Sequence, residues 1–425
     1  RRQRQMCIRD RYCGVHLRPR PIRVLTACVL ALALALATPL AGPASAAPPP
    51  LPSADPFYTP PGPIAAKKPG AILRSRVVTL GVNGRGLPLT ATQLLYRTTD
   101  QFGAPSSTVT TVISPPGAAP GTPRRMVSYH AFYDALGSQC DPSYTLRGGT
   151  TPNPPVDIVV ISSMLAAGYT VVVPDYEGPK LRWTMGRESG FAALDGIRAA
   201  QRYLRISSST PVGLFGYSGG SIPTGFGAEL APRYAPELNI IGAAAGGVLV
   251  NPVHNLGYVD GSAKWAGVIP ALMTVYNSTF GLNLPRYLSP KGFRVLGEVR
   301  GKCIVQFASK YPGLTDEQLL RPAVGGLLNV PGMRAAAATN VMGSVGIPRS
   351  PMMLGIGDSD GTGDGIMIVG DVAGLARKYC GRGLPTRFQV YRGLTHTDAF
   401  LPWSVDAQRF LAQRFAGQYT GGCGR

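Results

Sequence analysis

Apolar and polar positions change period repeatedly along this chain, and each change marks a boundary between strand-like and helix-like segments. Residues 76–80, 91–98 and 107–114 are β-rich, with alternation and β-branched side chains, as expected of half-buried strands. Residues 126–132 read as a further strand and 155–167 as a helix. The run 169–175 contains Val171, Val172 and Val173 and is almost continuously apolar, which predicts a parallel strand buried on both faces. Residues 190–204 then predict a helix, 212–216 a strand, and 238–250 a strand with a small-residue turn. Two more strands are expected at 351–357 and 386–391. Alternation of this kind means an α/β architecture, a mostly parallel central sheet with helices on both faces.

Between residues 250 and 345 the pattern breaks. Strand character is scarce there, Pro and Gly are frequent, and residues 267–280 and 315–320 read as helical. The expected organisation is therefore a core from 47 to 250, a mainly helical insertion from 251 to 345, and the rest of the core from 346 to 425. A Pro-rich stretch, 48–69, leads into the first strands.

Residues 1–46 do not fit that core. Arg18, Arg20 and Arg23 form a basic region, 24–37 is an apolar stretch too short for a comfortable membrane span, and Ala44-Ser45-Ala46 is an A-x-A cleavage pattern. A signal peptide and export are expected, with a mature start near Ala47. The string from Met6 to Arg11 resembles translated sequencing-adapter sequence, so the true start is expected later than Arg1. No other segment approaches the roughly 20 unbroken apolar residues of a span, and the mature chain is expected to be soluble.

Length and charge narrow the class. A chain of 425 residues with 44% hydrophobic content can bury a large core. Its formal charge is +20; the first 46 residues hold eight Arg and one Asp, so +13 remains. That excess is scattered in short pairs such as Lys67-Lys68 and Arg124-Arg125, without the aromatic-interleaved basic run of a nucleic-acid binder. It fits solubility, or attraction to anionic lipid or envelope surfaces.

Cys140, Cys303, Cys380 and Cys423 remain beyond the leader, an even number suited to an oxidising compartment. We expect the pairs Cys140–Cys303 and Cys380–Cys423, the second tying the tail to the helix before the last core strand. With no C-x-x-C or His/Cys cluster, a disulfide reading is preferred to a metal.

The candidate chemistry centres on Gly216-Tyr217-Ser218-Gly219-Gly220, a G-x-S-x-G run between a predicted strand and a predicted helix. A serine on such a turn is held strained above the sheet, and Gly216 and Gly220 let strand and helix crowd together. The Gly219 N–H then lies at a helix N-terminus, where it favours an oxyanion. Serine needs a base. His130 precedes Ser218, His254 sits in an Asn-Pro-rich loop, and His396 follows the last core strand, which makes His396 the expected base. For the acid, Asp358, Asp360 and Asp364 compete in one Gly-rich loop after the strand 351–357. A calcium loop there would lack the later Glu of an EF-hand.

Longer runs carry a resemblance. Val127-Ser128-Tyr129, Tyr133-Asp134, Cys140-Asp141-Pro142-Ser143-Tyr144, Asp175-Tyr176-Glu177-Gly178-Pro179, Leu194-Asp195-Gly196-Ile197-Arg198 and Ala231-Pro232-Arg233-Tyr234 accompany the Gly216–Ser221 run. The chain thereby resembles the secretory lipase family typified by yeast lipase A, which implies an α/β-hydrolase fold with a helical cap or lid. The resemblance implies Ser218 as nucleophile, His396 as base, and an oxyanion hole from Gly219 and Asp134. Counting back from Cys380 by the family's spacing reaches Asp364 as the acid, and counting forward from the strand reaches Asp360. The implied activity is hydrolysis of carboxylic esters, triacylglycerols above all, without a cofactor or metal. A short-chain esterase, an acyltransferase or an inactive exported binding protein are the alternatives on the same fold. A lipid or small ester, at a lipid–water interface, is the expected partner.

Overall fold

In a computed structural model of the chain, residues 48–117, 125–418 and 422–423 are described; the expected leader lies outside them. The strands are β1 (Ile72–Val82), β2 (Arg85–Thr99), β3 (Pro105–Ile113), β4 (Met126–His130), β5 (Thr170–Pro174), β6 (Val212–Tyr217), β7 (Ile240–Gly246), β8 (Met352–Asp358) and β9 (Thr386–Arg392). They form one nine-stranded sheet in the order β1-β2-β3-β5-β4-β6-β7-β8-β9. From β1 to β5 neighbours run antiparallel, and from β5 through β9 all are parallel.

The helices between core strands are α1 (Val156–Ala166), α2 (Gly186–Leu204) and α3 (Ser221–Tyr234). Between β7 and β8 come α4 (Pro252–Val259), α5 (Val268–Phe280), α6 (Pro290–Val299) and α7 (Met333–Ala338), joined by single turns. Core helices α8 (Val369–Cys380) and α9 (His396–Phe415) complete the chain order. Side-chain alternation sorts the two sheet faces. On β6, Val212 and Leu214 join Leu194, Ile197, Ile222 and Phe226 of α2 and α3. Phe215 and Tyr217 point the other way, with Ile161 and Met164 of α1 and Trp403, Phe410 and Leu411 of α9. Trp403, fully buried, stands 4.8 Å from the Phe215 ring and 4.9 Å from that of Tyr217, so α9 is seated directly behind the strand that delivers Ser218.

The expected architecture is present, with shifted boundaries. The first two strands are longer than alternation suggested, because Asn83-Gly84 closes them into a two-residue hairpin with both residues at positive φ. Helix α2 starts at Gly186, four residues earlier than expected; its first turn holds Glu188, buried and paired with Arg182 at 2.8 Å. The strand expected at 238–250 shortens to Ile240–Gly246, and the helix expected at 315–320 is one turn, Asp316–Leu319.

Both expected disulfides form, Cys140–Cys303 and Cys380–Cys423. The first joins the loop after β4 to the stretch between α6 and α7. Backbone pairing accompanies it: Leu136 N–H donates to Lys302 O and Gly301 N–H to Leu136 O, each at 2.9 Å. No helix among the described residues is long and apolar enough to cross a membrane.

Candidate active site

Parallel strands end their C-terminal tips at one edge of the sheet, and the loops leaving β4, β6, β8 and β9 there carry the candidate residues. Ser218 follows β6 in a single 3₁₀ turn, Ser218–Gly220, that leads into α3. Its φ of +54° is the strained left-handed conformation expected of a sharp strand-to-helix turn. His396 is the first residue of α9, which Thr395 caps by accepting the Asp398 N–H. Its Nε2 lies 2.8 Å from Ser218 Oγ, and its Nδ1 lies 2.8 Å from Asp364 Oδ2.

Asp364 is fixed independently of that contact. Its Oδ1 accepts the N–H groups of Ile366 at 3.1 Å and Met367 at 2.7 Å, while its backbone carbonyl accepts the His396 N–H at 2.8 Å. All three groups are nearly closed to solvent, Asp364 1%, His396 4% and Ser218 9% exposed. With Oδ2 as acceptor, the Nδ1 proton is the one that binds it, leaving Nε2 to accept the Ser218 hydroxyl proton.

The competing carboxylates stand elsewhere. Asp360 points into its own loop: Oδ1 accepts Thr362 and Gly363 N–H, each at 2.8 Å, and Oδ2 accepts the Tyr258 hydroxyl at 2.7 Å. The Tyr258 hydrogen bond, with these backbone donors, holds its carboxyl below the usual aspartate range. Tyr258 in turn accepts the Gly365 N–H at 3.1 Å, so Asp360 braces the loop that carries Asp364. Asp358 accepts the Gly361 N–H at 2.9 Å and faces Arg392. His254 is on the surface, paired with Asp371 at 2.9 Å, and His130 is fully buried beneath the Ser218 turn.

Asp134, in the loop after β4, comes to the same place. It is 2% exposed, with φ of +34°, and its carboxyl lies against the Gly219 Cα so closely that a Cβ at Gly219 would collide with Oδ1. Burial pushes this carboxyl up to about 7, against the opposing pull of the Trp183 side-chain hydrogen bond and of His396. Oδ1, buried beside Gly219, has no hydrogen-bond partner. Fully buried Glu177 accepts the adjacent Ala135 N–H at 3.2 Å and so braces this loop. Among the described residues no group of His, Cys, Asp and Glu could hold a metal ion.

Sequence reasoning missed several neighbours. Trp265, between α4 and α5, sets its ring edge-on to His396 at 5.6 Å, and Tyr217 donates its hydroxyl to His396 O at 2.7 Å. Tyr217 lies inside the motif and Glu177 inside one of the matching runs, but no local signal marks Trp265 or Trp183, which reach the site from distant segments.

Fold and site together define an α/β-hydrolase. A family model described as secretory lipase matches residues 149–422. A protein of Mycobacterium tuberculosis described as a probable inactive lipase is 36% identical over 385 residues, 87% of this chain and 83% of that protein. Lipase 5 of Candida albicans is 33% identical over 396 residues, 88% and 83% of the two chains. The solved structure of Candida antarctica lipase A superposes with a TM-score of 0.77 at 30% identity, covering 88% of each chain. The chain belongs to the secretory lipase family.

Proposed function

We propose that this protein is an exported serine lipase or esterase that hydrolyses carboxylic esters, triacylglycerols foremost, through an acyl-enzyme on Ser218. The observation that carries the reading is the unbroken relay from Ser218 Oγ through His396 to Asp364. Ser218 attacks the ester carbonyl as His396 Nε2 takes its proton, and Asp364 steadies the resulting imidazolium. The tetrahedral oxyanion receives the Gly219 N–H and a proton on Asp134, whose raised affinity for protons keeps it a donor near neutral pH. His396 then protonates the leaving alcohol, and water returns by the same path to free the acid. Residues 251–345, with Trp265 against His396, act as a cap that shelters the acyl chain. Leader, disulfides and family favour an extracellular or envelope location.

The description of the M. tuberculosis relative as inactive favours a second reading, a binding protein on the same fold; the intact relay here argues for turnover. The chain from Ala47 is expected to hydrolyse p-nitrophenyl esters from acetate to palmitate and emulsified triolein. Activity confined to short acyl chains reduces the proposal to a carboxylesterase, and none at all overturns it in favour of acyl transfer or binding.

A pH dependence follows from Asp134. The acid form donates and the carboxylate does not, so kcat is expected to fall as pH rises through about 7. The fall is limited to the worth of one oxyanion donor, about 10²- to 10³-fold. Asp134→Asn, which donates at every pH, should flatten that limb in kcat–pH profiles; a parent profile without an Asp134-dependent alkaline fall removes the donor role.

A further inference from the structure

His130 is the one described core histidine outside the relay, and its surroundings give its ring a direction. It ends β4 and pairs with Gly216 of β6, beneath the Ser218 turn. Nδ1 lies 2.6 Å from Thr224 Oγ1 and Nε2 lies 2.9 Å from Ser128 Oγ, with all three side chains fully buried. Thr224 sits in the first turn of α3, where its hydroxyl is 2.8 Å from Gly220 O. A carbonyl only accepts, so the single Thr224 proton is committed to Gly220, and Thr224 Oγ1 must accept from His130. The neutral ring therefore carries its proton on Nδ1, and Ser128 donates to Nε2. The result is a one-way chain, Ser128 to His130 to Thr224 to the carbonyl of Gly220. Burial pushes the ring down to about 3, so it stays neutral.

The main chain of His130 bears on the same residue. A Cβ on Gly220 would run into His130 O, so strand β4 and the turn are in direct contact as well as hydrogen-bonded. Gly220 is the second residue after Ser218, and the peptide between Ser218 and Gly219 supplies the oxyanion N–H. Anchoring Gly220 from behind fixes how that peptide is aimed.

From this geometry we infer that His130 is a positioning residue for the nucleophile turn, its Nδ1–H tautomer holding Gly220 through Thr224 so that the Ser218 hydroxyl and the Gly219 N–H keep their direction. The inference rests on Ser218 being the nucleophile. A merely space-filling histidine would affect stability but would not require this tautomer, and its loss would not act on kcat selectively.

Two measurements test it. Long-range proton–nitrogen NMR of the histidine-labelled protein, with His130 assigned from its absence in His130→Asn, reads the tautomer without any turnover. The expected state is Nδ1–H, unchanged from pH 5 to 8; an Nε2–H or charged ring over that range overturns the inference even if esters are hydrolysed normally. In kinetics, Thr224→Val removes the bridge at nearly constant volume and Thr224→Ser keeps it. The valine variant should lose about 10-fold in kcat with little change in KM, the effect of one lost buried hydrogen bond, and the serine variant should recover most of the parent rate. Equal kcat in the valine variant and the parent, or a loss confined to KM, overturns the inference. If the valine variant does not fold, His130→Asn, whose amide can still donate to Thr224, is compared with His130→Phe, which cannot. A kcat advantage for asparagine supports the inference and parity overturns it. Absence of turnover in the parent would count against the hydrolase reading itself, while the tautomer would still decide whether the chain of donors exists.

Discussion

Ser218→Ala is expected to lower kcat for ester hydrolysis by about 10⁵-fold or more while the protein stays folded. Removing the nucleophile of a serine relay leaves only the binding and oxyanion contributions, and losses of about 10⁶ in kcat are the measured scale for such variants in other serine hydrolases. Here the alanine keeps the turn, Asp134 still lies beside Gly219, and His396 still holds Asp364, so the folded geometry offers no replacement nucleophile. Ser128 and Thr224, whose hydroxyls flank the other core histidine, His130, are fully buried and bonded to it, out of reach of an ester. Rates of parent and variant on one p-nitrophenyl ester, with circular dichroism of both, check this. A variant that retains more than about a hundredth of the parent rate would mean that another group carries the chemistry.

The second large effect separates two aspartates four residues apart. Asp364→Asn is expected to cost about 10⁴-fold in kcat, the scale seen when a relay aspartate becomes an amide. The reason lies in the two backbone donors on Oδ1, Ile366 and Met367 N–H. An amide must turn its oxygen to them, and its NH₂ then faces His396 Nδ1. That forces the imidazole proton onto Nε2, where it opposes the Ser218 hydroxyl. Asp360→Asn, by contrast, keeps an oxygen for Thr362 and Gly363 N–H and loses only the hydrogen bond accepted from the Tyr258 hydroxyl, at a carboxyl outside the relay, so its cost should stay within about 10-fold. Equal losses in the two variants would contradict the assignment.

That contrast also shows where sequence reading stops. Spacing to Cys380 and spacing from β8 pointed to different aspartates, because a Gly-rich loop sets no fixed rise per residue. What separates them is which carboxyl the loop turns inward, a property of the Met367 and Gly363 backbone contacts that only folding creates. The buried strands were legible because Val171–Val173 and Val212–Phe215 are apolar without interruption. Ser218 was legible because its turn needs glycines at fixed offsets, and His396 because so few histidines were available to serve it. Asn83-Gly84 is a hairpin signal that the strand expectations at 76–80 and 91–98 left unused, and the full length of β1 and β2 went unread with it. The early start of α2 was hidden for a different reason. Glu188 is charged yet buried, satisfied by Arg182 and by the Gln101 N–H from another segment. His130 looked like a rival base in the sequence, and its neighbours Ser128 and Thr224 converge on it only when β4, β6 and α3 come together.

Active-site labelling reads out whether Ser218 is the group acylated by substrate. The protein is treated with a p-nitrophenyl alkylphosphonate, nitrophenol release is counted, and the modified residue is located by peptide mass spectrometry. Expected are release of one equivalent per chain, the phosphonyl group on Ser218, loss of ester hydrolysis in step with labelling, and no label in Ser218→Ala. A protein that hydrolyses esters but remains unlabelled at Ser218, or carries the label at another residue, would contradict that role for Ser218.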